Sequence, residues 1–327
     1  MNYAADAYSH IGLPRYGGIE DFVNNMKRFG LRKSVMVLFN AVPEFASLFA
    51  GIRDYPESIR GVGIPFGQTP EQRMELVLLQ LQAGVIGIRM EAGEALGNPD
   101  ILKLLGEQGK WAFALTPFQS EELTRIYLDW LEQYPAGRIA SPHLLYTEAA
   151  SAGFRDRPSV KELLGHPRFH AIFSRHGGHG SALPYPHRDF LPWMSFVLEW
   201  AGYERTMWGS EYPVIYSRNE TMPACISWLA EIGAGLSEQQ LRKVMHDNAE
   251  RVFFSDPAPD SRPVIIPDWV AGQFNHEQTV RIYNQDGYEL PLDVYGKLIN
   301  GYLQSEELTA GISFADYFVK RIASSLN

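Results

Sequence analysis

Eight short β-rich runs alternating with helical stretches predict a (β/α)8 TIM barrel of the α/β class, followed by a C-terminal α/β extension. Three observations carry this expectation. The runs begin near Tyr3, Lys33, Arg60, Val85, Trp111, Arg138, Phe169 and Arg205, at the spacing of βα units. The stretches between them are amphipathic and mostly end in or near glycine, as helices do. A chain of 327 residues is long for one ordinary domain but normal for a barrel with additions.

The elements follow in order. "YAADAYS" opens as strand one, and in a strictly alternating strand Asp6, Tyr8 and His10 would share one face. "IEDFVNNMKRFG" reads as the first helix, and "KSVMVLF" and "RGVGIPF" as strands two and three. "PEQRMELVLLQLQAG" leads to "VIGIRM", then "WAFALT", then "SEELTRIYLDWLEQY" and the sixth strand "RIASPHLL". "FHAIFS", "DFLPWMSFVLEWAG" and "RTMWGS" supply strand seven, its helix and strand eight. "LSEQQLRKVMHDNAERVFF" is then a strong amphipathic helix that closes the ring from outside. The barrel spans 1–255. The rest, 256–327, is a proline-rich linker, a hairpin around Asp286-Gly287 and two helices, a lid or an oligomerisation arm.

Composition removes several classes of function. The net charge is −9 and no basic cluster stands out, which argues against nucleic acid as a partner. Apolar runs are too short or interrupted for a membrane span and no signal pattern opens the chain, so the expectation is a cytoplasmic protein. A single cysteine, Cys225, excludes an internal disulfide and a multi-cysteine metal centre.

In such a barrel the chemistry sits where the strands end. Those positions hold His10, Arg89, Glu91, Thr116, His143, Ser174, Arg175, His176 and Glu211, a convergence that packing alone does not require. Here the chain resembles the amidohydrolase superfamily, in its amidohydrolase-related branch of decarboxylases and sugar or pyrone lactonases. The resemblance runs from about Asp6 to Phe254 and rests on "DAYSHIG", "GVIGIRM", "SPHLLY", "MWGSEYPV" and the closing "LSEQQLRKVMHDNAERVFF".

The resemblance implies that two strand-one histidines, a strand-five histidine and a strand-eight aspartate would hold a divalent ion. This sequence has Tyr8, His10, Thr116 and Glu211 at those positions, so three of the four ligands are changed. His10 and Glu211 alone fall short of the three protein ligands of a catalytic zinc site. The expectation is therefore no metal, with Zn or Mn as the runner-up. What the resemblance then implies is metal-independent hydrolysis of a small anionic lactone. Glu211 serves as general base, His10, His143 and Tyr8 complete the catalytic set, and Arg89, Glu91, Thr116, Arg175 and His176 line the substrate.

Blander readings stand beside these. Arg89 could be a structural partner of Glu91 or Glu211, Glu211 one end of a salt bridge, and Tyr8 an interior tyrosine. His179 and His187 read as members of a solvated loop, and His166 and His170 as structural residues on the opposite rim. Two other functions remain open: a decarboxylase or C–C hydrolase with an altered metal site, and a silent barrel kept as an assembly partner. A small anionic substrate and a homo-oligomer formed through the extension complete the expectations about partners.

Overall fold

The structure is a computed structural model describing residues 4–146, 152–174, 181–218, 220–282 and 289–325. Eight parallel strands stand in sequence order around a (β/α)8 barrel: β1 (Ala4–Ile11), β2 (Leu31–Leu38), β3 (Ile59–Gly63), β4 (Gly87–Met90), β5 (Trp111–Ala114), β6 (Arg138–Ser141), β7 (Phe169–Phe173) and β8 (Thr206–Trp208). Every sequence-predicted start falls within two residues of the observed one. The surrounding helices are α1 (Ile19–Phe29), α2 (Phe45–Asp54), α3 (Pro70–Gln82), α4 (Ala92–Gly97), α5 (Pro99–Glu107), α6 (Glu121–Gln133), α7 (Pro158–Gly165), α8 (Leu191–Ala201), α9 (Val214–Ser217), α10 (Met222–Ile232), α11 (Glu238–Arg242) and α12 (Asn248–Phe253).

The ring closes between β8 and β1 through two backbone bonds. Glu211 N–H donates to the Tyr8 carbonyl at 2.8 Å, and His10 N–H to the Tyr212 carbonyl at 2.6 Å. Two site residues are thus part of the seam itself. Gly209 explains the glycine of "MWGSEY", since a Cβ there would stand 2.9 Å from Tyr8 Cβ and 3.0 Å from Ile172 Cγ2.

Strand one does not alternate as the sequence suggests. Asp6 pairs with Ser34 but Ser9 with Met36, three steps against two, so β1 carries a bulge between them. Ala5, Ala7 and Tyr8 therefore all join the interior cluster, while Asp6 bonds to Ser210 across the seam. The closing helix also departs from expectation, because it is interrupted by a π-turn at Lys243–Asp247 and its last part does not stay outside. Val252, Phe253 and Phe254 enter the barrel interior cluster, with Phe253 4.9 Å from the Trp111 ring and 5.8 Å from Phe113. Each such aromatic pair adds about 0.5–1.5 kcal/mol beyond the area it buries. Asn248 fixes the helix in place by donating to the Tyr203 and Thr206 carbonyls at 2.6 and 2.8 Å.

The extension runs from the floor up the outside of the barrel. Arg262 N–H bonds the Gln82 carbonyl at the end of α3, and α13 (Trp269–Gln273) then lies beside Pro43 and Phe45. A short antiparallel pair, β9 (Thr279–Arg281) and β10 (Glu289–Pro291), flanks the predicted Asp286-Gly287 turn, which lies outside the described residues. Then come α14 (Leu292–Leu303), α15 (Glu306–Thr309) and α16 (Phe314–Ser325). These helices settle on the strand-end side: Asn300 bonds the Pro14 carbonyl at 3.1 Å, and Tyr302 meets the Tyr216 ring at 5.3 Å. Among the described residues, no helix is long and apolar enough to cross a membrane.

Candidate active site

The bulge and the seam bring together a compact buried cluster. His10 stands one residue before the end of β1, His143 follows β6 and Glu211 follows β8, and one ligand atom from each lies within 4.8 Å of the others. Glu211 and His143 sit at φ 57° and 59°, and Thr116 at 52°, a left-handed region that costs a non-glycine residue about 1–3 kcal/mol. Such strain persists where the surroundings fix it. Glu211 is fixed by the seam bond to Tyr8, and His143 by its N–H bonded to Ser174 Oγ at 2.8 Å.

The chemistry of each group follows from its partners. His10 Nδ1 lies 3.0 Å from the Val37 carbonyl, an acceptor only, so Nδ1 carries the proton and Nε2 keeps its lone pair. Burial, opposed by Glu211, lowers the His10 pKa, and the charge of Arg89 lowers it further, so the ring is neutral. Its Nε2 faces Glu211 Oε1 at 3.9 Å, two acceptors converging on one point. His143 Nε2 stands 3.0 Å from the same oxygen. Tyr8 is fully buried and wedged edge-on between the imidazoles, 5.0 Å from His10 and 4.8 Å from His143.

Sequence reasoning missed one close partner of Glu211. Arg218, buried just beyond α9, donates from Nη2 to Glu211 Oε2 at 2.6 Å and from Nε to Glu220 Oε1 at 3.2 Å. Its only signal was an arginine seven positions after the strand-eight carboxylate. Two more residues went unnoticed in the loop after β1. Tyr16 stacks on His10 at 5.2 Å, and the Arg15 guanidinium lies over Phe39 at 4.5 Å, its Nε buried with no hydrogen-bond partner among the described residues.

The remaining predicted residues divide. Arg89 is buried and bonded through Nε and Nη2 to Glu91 Oε1 at 3.1 and 2.8 Å, with Asn40 donating to the same oxygen. That is the structural pairing weighed above, although Arg89 also lies over Phe39 at 5.3 Å and its charge reaches His10. Thr116 directs its hydroxyl to Gln119 Oε1 at 3.3 Å. Arg175, His176 and His179 lie outside the described residues. His187 is engaged with the Leu183 carbonyl at 2.9 Å, as a loop residue.

Asp6 has a structural task. Its Oδ1 accepts from Ser210 N at 2.9 Å and Tyr8 N at 3.1 Å, and Oδ2 from the Ser210 hydroxyl. Burial outweighs these bonds and pushes its pKa up to about 7. A folded-state pKa above the usual value of 3.8 gives stability that is complete below pH 4 and is lost as pH rises through 7. An asparagine oxygen can keep both backbone bonds. Urea titrations at pH 6 and pH 8 are therefore expected to show a smaller loss of stability over that interval in Asp6→Asn than in the parent protein. An unchanged interval would mean that Asp6 is ionised throughout.

Residues 13–254 match the amidohydrolase family, and the chain belongs to it. No curated protein matches the sequence. Among solved structures, the chain is similar to a Pseudomonas putida protein provisionally assigned as a 2-pyrone-4,6-dicarboxylic acid hydrolase, at 19% identity and TM-score 0.58 over 78% of this chain and 99% of that one. It is similar to an Acinetobacter baumannii protein given the same provisional assignment and holding citric acid, at 15% and 0.60 over 77% and 99%. A dihydroxybenzoic acid decarboxylase from Polaromonas with manganese and 2-nitroresorcinol follows at 13% and 0.51 over 77% and 97%. At these identities the likeness concerns the fold.

Proposed function

We propose that this protein hydrolyses a small anionic lactone or related ester without a metal, Glu211 acting as general base. The observation that carries the reading is Arg218: a guanidinium at 2.6 Å from Oε2 supplies beside the carboxylate the positive charge that an ion would supply. Glu211 Oε1 and the His10 lone pair then hold one water between them. The water oxygen attacks the ester carbonyl carbon, Glu211 takes the water proton, and as the acyl C–O bond opens the protonated Glu211 returns that proton to the leaving oxygen. An activated ester needs only a placed base and a donor for the developing oxyanion, and His143 is a candidate donor. Arg15 and Arg89, both against Phe39, suit substrate carboxylates through the planar guanidinium fork. The names of two structural neighbours support the substrate class, since a pyrone dicarboxylate is a cyclic ester with two carboxylates, and citrate is a small polycarboxylate.

A second reading has its own observation. His10 Nε2, His143 Nε2 and Glu211 Oε1 form a His2Glu donor set, one nitrogen more than His10 and Glu211 alone provide. A divalent ion held there would polarise a bound carbonyl or carboxylate, as the altered-site decarboxylase reading requires. The set fits in number and is opposed in charge by Arg218. Elemental analysis of purified protein is expected to find far less than one zinc or manganese per chain, with turnover insensitive to chelator. A stoichiometric ion lost together with activity would put the decarboxylase first.

A further inference from the structure

The opposite end of the barrel carries a feature that the proposed reaction does not use. Arg138 opens β6, His170 is the second residue of β7, Arg205 precedes β8 and Arg251 lies on α12, so all converge at the strands' N-terminal ends. With Arg168 they line a cavity of about 460 Å³, a size that suits a small metabolite. This end of a barrel ordinarily serves stability. Two of the arginines do serve it: Arg168 donates to the Leu131, Tyr134 and Gly137 carbonyls, and Arg205 to those of Leu164, His166, Phe169 and Trp200. The other two are not explained that way. Arg138 lies over the Trp111 ring at 4.9 Å, and among the described residues Arg251 donates from Nη2 to the Glu204 carbonyl and Asn248 Oδ1.

The lining is strongly basic. Among the described residues none of the four guanidiniums forms an ion pair. The one carboxylate in the lining, Glu204, is held by Lys243 at 2.5 Å. Four cations thus share one hollow in a chain whose net charge is −9. His170 supplies an independent sign. It is 6% exposed and its Nδ1 is buried with no hydrogen-bond partner among the described residues, a state that costs about 1–3 kcal/mol. Burial and the charges of Arg205, Arg251 and Arg138 push its pKa down to about 3.

We infer that this floor cavity binds a small oxyanion carrying two or more negative charges, with Arg138 and Arg251 as its principal anchors and His170 as a buried donor. The ligand's groups are carboxylates or phosphates, both of which match the guanidinium fork. The Trp111 ring forms one wall of the cavity. The site is separate from the mouth, and its occupancy does not depend on the hydrolysis proposed there.

Calorimetric titration of the full chain with citrate, pyrophosphate and inorganic phosphate tests it. At least one probe is expected to bind, with affinity falling as salt rises. Each charge-assisted bond removed should cost roughly ten- to a hundredfold, so the Arg138→Gln/Arg251→Gln variant loses most of that binding. Arg15→Gln, which alters the mouth, keeps it; the opposite pattern would assign the anion to the mouth and overturn the floor site. A second measurement uses the unmodified protein. The imidazole resonance absent from His170→Gln is expected to shift on adding the bound probe, and its titration midpoint to rise. Absence of binding by all three probes, or binding that leaves this resonance in place, overturns the inference.

Discussion

Glu211→Gln is expected to lower turnover by about a hundred- to ten-thousandfold once a lactone or ester substrate is in hand, the range of a lost general base. The amide keeps the shape and can still accept from Arg218, but it cannot take the proton of the water at His10. The exchange also has a folding cost, because Arg218 is buried and 2.6 Å from the carboxylate that carries the opposite charge. Glu220 remains as its second partner at 3.2 Å, so the loss is roughly 1–3 kcal/mol rather than that of a fully unpaired ion. Substrate binding persists, since Arg15 and Arg89 are untouched. Glu211→Asp is the finer probe: at φ 57° the backbone is held by the seam bond to Tyr8, and a shorter side chain withdraws from both His10 and Arg218. It too should be impaired. Near-normal turnover in Glu211→Gln would make the carboxylate structural and pass the role of base to His10 or His143.

The barrel was legible because periodicity and glycine punctuation are local signals, and the strand starts agree within two residues. The placement of His10, His143 and Glu211 at one mouth followed from the rule about strand ends. What failed was the finer geometry. Strict alternation put Asp6, Tyr8 and His10 on one face, but a bulge adds a residue without a compositional mark, and it sends Asp6 to the seam. Counting ligands strand by strand left out His143, which the resemblance placed in the catalytic set and not among the metal ligands, whereas distance brings it to 3.0 Å from Glu211. Arg218 was invisible for a different reason. Its place depends on the short turn of α9 folding the chain back under Glu211, a tertiary event that spacing does not encode. The same holds for the floor, where arginines distant in sequence meet only when the strands align.

Arg218 is the residue on which the two readings of the mouth differ most, and Arg218→Met separates them. Methionine has about the volume to fill the place but brings no charge, so the Glu211 carboxylate stays buried without the Arg218 cation. Breaking a buried ion pair from one side costs about 3–5 kcal/mol, and chemical denaturation should show a loss of that order. Removing the cation favours the protonated carboxyl, which moves the acid limb of the pH–rate profile to higher pH and lowers turnover at neutral pH. Linkage gives the sign for stability: a carboxyl whose folded pKa has risen is tolerated in acid and penalised as pH climbs. The variant's deficit is therefore largest above neutrality and shrinks toward pH 5. Arg218→Lys keeps the charge without the fork and should recover part of both properties. In the metal-dependent reading the outcome inverts, because Arg218 is then the like charge that opposes an ion at His10, His143 and Glu211. Arg218→Met would bind zinc or manganese more tightly than the parent and gain activity in their presence. Metal-dependent gain sinks the metal-free proposal, and a metal-insensitive loss with the shifted acid limb supports it.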